Sequence, residues 1–245
     1  MRFWKSWLIA RKEFDFIRIK KSALGISFGL PIGLGVLLPL IIYFEVSRKK
    51  VPIEAITPLM GSFAFYFIII AALIPIYTSV SSIVVEKIER SLEPLLATPT
   101  SDREILVGKY IATFTLAIVG TYIGAAIFVT LMDTVTHSSI GYFYFPNTAF
   151  DIALFAAAPA ASIFSTAFGV LSSSRVTSIQ SAQSLSVVPL LPLIILYLMG
   201  ELNLINLNDT TILAYVAIGL AVAAALVFQL STAVFDREEI LTRWK

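Results

Sequence analysis

The sequence predicts an all-α, polytopic membrane protein with six transmembrane helices. Hydrophobic residues make up 58% of the 245 residues and charged residues only 14%, whereas about half of a soluble domain is apolar and about a quarter is charged. Six long stretches carry no charge, and each exceeds the roughly 20 apolar residues that a helix needs to cross a bilayer. Stretches such as 217–227 lack the alternation of apolar and polar residues found in membrane strands, which excludes a transmembrane barrel.

Each charge-free stretch supplies one predicted span. The spans are 22–44, 58–85, 108–132, 152–174, 178–200 and 210–235. We expect the whole chain, 1–245, to form a single transmembrane domain. Prolines at Pro75, Pro189 and Pro192 predict kinks in the second and fifth spans, because proline cannot donate the backbone hydrogen bond of a helix.

The basic residues orient the chain in the membrane. An even number of spans puts both termini on one side, and that side holds 15 of the lysines and arginines against 3 on the other. Segments rich in lysine and arginine stay on the cytoplasmic side. The sequence therefore predicts a multi-pass protein of the cell membrane with both termini in the cytoplasm.

Residues 1–21 predict an amphipathic interfacial helix before the first span. Five apolar residues recur at alternating steps of four and three, which places them on one stripe of a helix, although Trp4, Leu8 and Phe16 lie off it. The stripe consists of Phe3, Trp7, Ala10, Phe14 and Ile17. A basic helix of this kind suits the headgroup layer, where its lysines meet anionic lipid; a simple orienting anchor is the alternative. The candidate interfacial residues are Trp7, Arg11, Lys12, Glu13 and Phe14.

A charged cytoplasmic segment, 86–105, joins the second and third spans. Four charged residues can share one face of a helix that continues from the second span, since they are spaced by three or four. They are Glu86, Glu89, Arg90 and Glu93. Pro99 stops this helix, and Ser101 followed by Glu104 predicts the capping box of a new one. The apolar pair Leu95-Leu96 between the charges suits docking to a soluble partner, with a solvated loop as the alternative.

This segment resembles a known family. Residues 86–99 read Glu-Lys-Ile-Glu-Arg-Ser-Leu-Glu-Pro-Leu-Leu-Ala-Thr-Pro, and residues 103–109 read Arg-Glu-Ile-Leu-Val-Gly-Lys. Both resemble the stretch that follows the second span in membrane subunits of ABC-2 type transporters. Those subunits also have six spans, and they open with an amphipathic helix containing Arg-Lys-Glu, as at 11–13 here.

The resemblance implies the membrane subunit of an ATP-driven exporter. In that family the segment contains a coupling helix that rests on a separate cytoplasmic ATPase, and a second permease copy, identical or different, completes the translocation path. The candidate coupling residues are Glu86, Glu89, Arg90, Glu93, Leu95, Leu96 and Pro99. The sequence has no phosphate-binding loop of its own. We therefore expect no enzymatic activity and no cofactor in this chain, with ATP and Mg²⁺ bound by the partner.

Polar residues within the spans are candidates for the path. The interiors of the spans carry no charge, which argues against a proton relay or an ion site. The candidates are Tyr77, Ser81, Gln183, Ser186 and Pro189. They lie in the second and fifth spans, which face the path in the family. Packing between helices is the alternative role of such small polar residues.

Two other functional classes compete with the exporter. A secondary carrier usually has repeated halves and an ionisable group near the membrane midplane. An intramembrane enzyme requires a motif such as His-Glu-x-x-His or Gly-x-Ser-x-Gly, and the sequence has neither. A single histidine and no cysteine leave no candidate metal site. We expect protein and membrane lipid as partners, and no nucleic acid.

Overall fold

The computed structural model describes residues 3–49, 57–88, 100–141, 143–145, 147–175, 179–202 and 204–234. Within these ranges the secondary structure is helical, without strands. Runs long and apolar enough to cross a membrane are Lys21–Glu45, Ser62–Val80, Arg103–Ser138, Thr148–Ser173 and Thr210–Thr232. A bent pair, Gln180–Ser186 with Leu190–Glu201, supplies a sixth candidate. The all-helical prediction is confirmed, with five candidate spans, or six if the bent pair is one span.

The helices follow one another in this order. They are α1 (Phe3–Ile19), α2 (Lys21–Leu24), α3 (Leu30–Lys49), α4 (Thr57–Ile88), α5 (Asp102–Ile140), α6 (Thr148–Ile152), α7 (Ala158–Arg175), α8 (Ile179–Ser186), α9 (Leu190–Glu201) and α10 (Thr210–Val234). Two π-helical segments, Gly25–Gly29 and Ala153–Ala157, join α2 to α3 and α6 to α7. Each of these two pairs therefore forms one continuous span.

Each π-helical segment precedes a proline. Pro31 follows Gly25–Gly29, and Pro159 follows Ala153–Ala157. A proline ring clashes with the carbonyl four residues earlier, and in both cases that carbonyl belongs to the π-helical segment. A π-helical turn has i→i+5 hydrogen bonds, and each span continues through its proline without a break.

Helix α4 is the centre of the bundle. In its apolar run Ser62–Val80, 78% of the residues are buried, against 22% in the run Thr210–Thr232 of α10. It packs most extensively on α7 and also contacts α5, α8 and α9. Phenylalanines from α4, α5, α6 and the segment before α6 form a cluster around Phe128, with ring centroids 5.2–6.1 Å from it. The other members are Phe63, Phe67, Phe145 and Phe150.

The first span packs closely on α5 through glycines. Gly120 and Gly124 of α5 lie four residues apart on one face. A Cβ at Gly124 would lie 2.5 Å from the carbonyl oxygen of Pro31, and one at Gly120 would overlap that of Ser27. Small residues at this spacing let membrane helices approach backbone to backbone, so neither position accommodates a side chain.

The fifth predicted span is bent. Helices α8 and α9 meet at 46° across Val187–Pro189. This bend agrees with the kink predicted from Pro189 and Pro192. Helix α4, in contrast, passes through Pro75 as one helix.

Candidate functional site

Most of the predicted coupling residues lie outside the described residues. These are Glu89, Arg90, Glu93, Leu95, Leu96 and Pro99. Glu86 belongs to the last turn of α4, which extends past the predicted end of the second span. The described chain resumes at Thr100. The candidate site is therefore built from the start of α5, residues 101–110, which we call the α5 root.

The α5 root begins with the predicted capping box. The Ser101 hydroxyl accepts a hydrogen bond from the Glu104 amide at 3.3 Å, and the Ser101 amide donates to Glu104 Oε2 at 3.1 Å. This reciprocal pair satisfies two amides that a helix start leaves open. It fixes where α5 begins, directly after the segment that resembles the coupling segment.

Apolar side chains of the α5 root are buried against two other helices. Ile105 and Leu106 are fully buried in a cluster with Ile9 of α1 and with Ala167 and Val170 of α7. The start of α5 is therefore packed against α1 and the second half of α7.

Tyr110 extends this contact to α10. Its hydroxyl lies 2.8 Å from the Ser231 hydroxyl, and its ring meets the Phe228 ring edge-on at 5.0 Å between centroids. The α5 root therefore contacts α1, α7 and α10 together.

A buried ion pair joins the α5 root to α1. Lys109 Nζ donates to Glu13 Oε1 at 2.6 Å, and the two side chains are only 3% and 4% exposed. The neighbours Arg11 and Lys12 are exposed. Glu13 is thus the charged residue of Arg11-Lys12-Glu13 that lies in the helix contact, whereas the other two are on the outside of α1.

Gly108 lets α1 approach the α5 root closely. A Cβ at this position would lie 2.7 Å from both the Ser6 carbonyl oxygen and the Ile9 Cβ. Real Cβ atoms do not approach other heavy atoms so closely, because interiors are packed at van der Waals distances. The crossing of α1 and α5 therefore depends on a glycine immediately before Lys109.

The packed face of α1 differs from the predicted stripe. Its buried residues are Ser6, Ile9, Ala10, Glu13 and Ile17. Trp7 is 49% exposed and Phe14 is half-buried, so among these stripe residues only Ala10 and Ile17 belong to the face packed on the bundle. Apolar periodicity could not find the packed face, because Ser6 and Glu13 are polar. The location of α1 in the headgroup layer stays a prediction.

Sequence reasoning missed the role of Lys109. The residue lies at the border of a charge-free stretch, where a lysine is ordinarily taken to mark the end of a span and to reach toward water. One signal was available: Glu13 is three residues after Ala10 and four before Ile17, on the side of α1 that carries both. A carboxylate so placed needs a cationic partner when that side is buried.

The pathway candidates occupy three separate surroundings. Tyr77 is half-buried, and its hydroxyl donates to Ser22 Oγ of α2 at 3.2 Å. Ser186 is buried, with its hydroxyl bonded to that of Ser172 in α7. Pro189 lines an apolar groove of about 480 Å³ between α7, α9 and α10. The candidates do not converge on one cavity within the described residues.

The remaining two pathway candidates carry less structural information. Gln183 is half-buried on α8, and Ser81 lies in α4, where only the backbone is described. Across the described ranges, no group of three or more histidine, aspartate or glutamate side chains is arranged to hold a metal ion.

The fold defines a polytopic membrane protein, because its continuous apolar helices and one bent helix pair are long enough to span a bilayer. A family model described as ABC-2 family transporter protein matches residues 7–235. The chain belongs to this family and is a transport permease, which confirms the resemblance inferred from residues 86–109. No curated protein matches the chain.

Proposed function

We propose that this permease works with a separate cytoplasmic ATPase as an ATP-driven exporter. ABC-2 permeases generally work with an ATPase subunit, which supports the partnership. One observation carries the proposal: the capping box at Ser101 starts α5 directly after 86–99, the segment that resembles the family's coupling segment. A second permease copy, identical or different, completes the translocation path. ATP and Mg²⁺ bind to the partner, and this chain binds no cofactor.

The length of α5 gives the coupling segment a mechanical connection across the bundle. The helix has 39 residues, which corresponds to about 58 Å at 1.5 Å per residue. That exceeds the roughly 30 Å of a bilayer core. A displacement of the α5 root therefore reaches the aromatic cluster around Phe128 through one unbroken helix.

The charge distribution supports the orientation. Fifteen of the 18 lysines and arginines lie on the side that carries both termini and 86–105. This bias supports a cytoplasmic location for that side in a cell-membrane protein, where a soluble ATPase can reach it.

The buried ion pair fits a coupling role better than a secondary carrier. Lys109 lies seven residues into a 39-residue helix, about 10 Å from its start. Coupling ions of secondary carriers bind near the bilayer midplane. The ion pair therefore lies near the start of α5, away from the midplane position that such a site requires.

The coupling segment is tested by a double variant. Glu93→Arg with Leu95→Asp should insert into the membrane normally, because neither residue belongs to a predicted span. It should lose co-purification of the ATPase and ATP-dependent transport, because reversed charge and a buried carboxylate oppose docking.

A matched control carries the same substitutions on the opposite side. Glu54→Arg with Leu204→Asp should retain both the ATPase and transport, and Leu204 is 67% exposed. Normal ATPase association in the Glu93 and Leu95 variant would overturn the coupling assignment. Transport by the permease alone under an ion gradient would favour a secondary carrier.

A further inference from the structure

We propose that Glu13 and Lys109 are positioning residues that lock α1 and the first span to α5, so that these three elements move as one unit when the coupling segment moves. The joint movement of these elements with the coupling segment rests on the proposed function. The lock is argued from contacts within the chain, and it can be tested without the ATPase.

The ion pair lies beside the tight contact between α1 and α5 at Gly108. Ser6, Ile9 and Glu13 follow one another at steps of three and four on α1, and they meet Gly108 and Lys109 on α5. Removing either charge leaves the other in an apolar contact, which is costly unless α1 moves away. The pair therefore ties the position of α1 to the side-chain geometry of Lys109.

Apolar packing alone would not specify this position so well. Ile9 and Leu106 already supply a buried apolar contact between the two helices, and apolar contacts tolerate sliding and rotation. A lysine–carboxylate hydrogen bond at 2.6 Å forms only when α1 has one particular rotation about its axis and one particular position along α5. One use of buried charges is to fix such a register, at some cost in stability.

Helix α1 is connected to the first span by a single residue. Lys20 separates α1 from α2, and its amide donates to the carbonyls of Phe16 at 3.3 Å and Ile17 at 3.1 Å. The junction is thus a hydrogen-bonded turn. A movement imposed on α1 at Glu13 passes directly into the first span.

The first span holds α5 at further points beyond the ion pair. Ile17, Ala23 and Leu116 form a small apolar cluster. Higher along α5, Gly120 and Gly124 contact the first span backbone to backbone. Positions 109, 116, 120 and 124 of α5 are spaced by seven, four and four, so they share one helix face. That face is the seam between α5 and the unit formed by α1 and the first span.

Spin labels test the lock in this naturally cysteine-free chain. Trp4→Cys on α1 and Arg103→Cys on the α5 root provide exposed sites. In the otherwise unchanged permease in nanodiscs, we expect one narrow label–label distance. Glu13→Lys should broaden it, and Glu13→Lys with Lys109→Glu should restore it. Arg11→Glu, on the exposed side of α1, should leave it unchanged.

A neutral pair protects the test against misfolding. Glu13→Gln with Lys109→Met removes both charges without burying either alone, so it should insert and fold even if the single reversal does not. It should still broaden the distance, because the register contact is lost. An unchanged narrow distance in both this variant and Glu13→Lys would overturn the lock.

The movement is tested in the full complex with its ATPase in proteoliposomes. The label–label distance should stay the same with and without trapped nucleotide, while transport per ATP hydrolysed falls about 2- to 30-fold in the Glu13→Lys variant, the range that coupling residues commonly control. A distance that changes with nucleotide would overturn the shared movement. If the unmodified permease with its ATPase shows no ATP-driven transport, the proposed function is contradicted. The distance measured in nanodiscs would still test the lock.

Discussion

Gly108 and Lys109 are adjacent in the chain, yet each meets α1 in a different way. Gly108 contributes the absence of a side chain, and Lys109 contributes a charge. The apolar run 105–107 before them could be predicted as the entry to a span from composition. Their contacts could not, because the partners Ser6, Ile9 and Glu13 lie about 100 residues earlier and no local pattern connects the two segments.

A pair of alanine substitutions separates the role of Gly108 from the general effect of glycine in a helix. Gly108→Ala should destabilise the permease by about 1–3 kcal/mol, the usual cost of overpacking, because its Cβ meets the Ser6 carbonyl and Ile9. Gly33→Ala places a Cβ where nothing lies within 4 Å. It should be neutral or stabilise by up to about 1 kcal/mol.

Thermal unfolding of the two purified variants in detergent provides the measurement. The midpoints should move in opposite directions, or only that of Gly108→Ala should fall. Equal midpoints for the two variants would show that α1 does not cross α5 at Gly108 as described.

At the scale of elements, short sequence motifs predict where a helix begins better than they predict its length or its π-helical segments. The capping box at Ser101 and Glu104 follows from two residues three apart, so the sequence located the start of α5. The length of α5 to Ile140 was not predicted, since Asp133 and His137 lie beyond the charge-free stretch. The π-helical segments were missed too, because a proline indicates strain but not whether the chain bends or widens.

The packing of α8 on α7 can be tested through a serine contact. Ser172 and Ser186 lie with their hydroxyls in hydrogen-bond contact, so cysteines at these positions are within reach of a disulfide of about 2.0 Å. Oxidised Ser172→Cys with Ser186→Cys should form a cross-link within the chain, detectable by mass spectrometry. It should keep ATPase association but lose transport, because α8 is then fixed on α7.

The matched control moves one cysteine to the other side of α8. Ser172→Cys with Ser184→Cys should not cross-link, since Ser184 is exposed. In the Ser172→Cys with Ser186→Cys variant, reduction of the disulfide should restore the transport that oxidation abolished. Full transport by the cross-linked permease would mean that α8 and α7 stay together throughout the cycle.

For the whole molecule, composition and charge predicted the class of fold, and one segment predicted the family. Apolar stretches separated by charges set the number and place of the spans, since a bilayer demands helices of a given length. The central position of α4 could not be predicted in this way. Its apolar residues resemble those of α10 in composition, and only packing distinguishes a helix surrounded by protein from one at the periphery.

The orientation of the whole molecule is open to single-cysteine labelling. Trp4→Cys, at a site 70% exposed, should react with a membrane-impermeant maleimide only after cells are permeabilised. Leu204→Cys, at a site 67% exposed, should react in intact cells. The reason is the excess of basic residues on the side of the termini. The reverse pattern of labelling would invert the topology and remove the coupling segment from the cytoplasm.

The hydrogen bond between Glu13 and Lys109 cannot form until both residues have been synthesised. The two residues are 96 positions apart in the chain, and ribosomes add about 5–20 residues per second. Glu13 therefore emerges about 5–20 s before its partner. Through that interval the first two spans are made while α1 has no site on α5, so α1 can dock on α5 only after both of these spans have been synthesised.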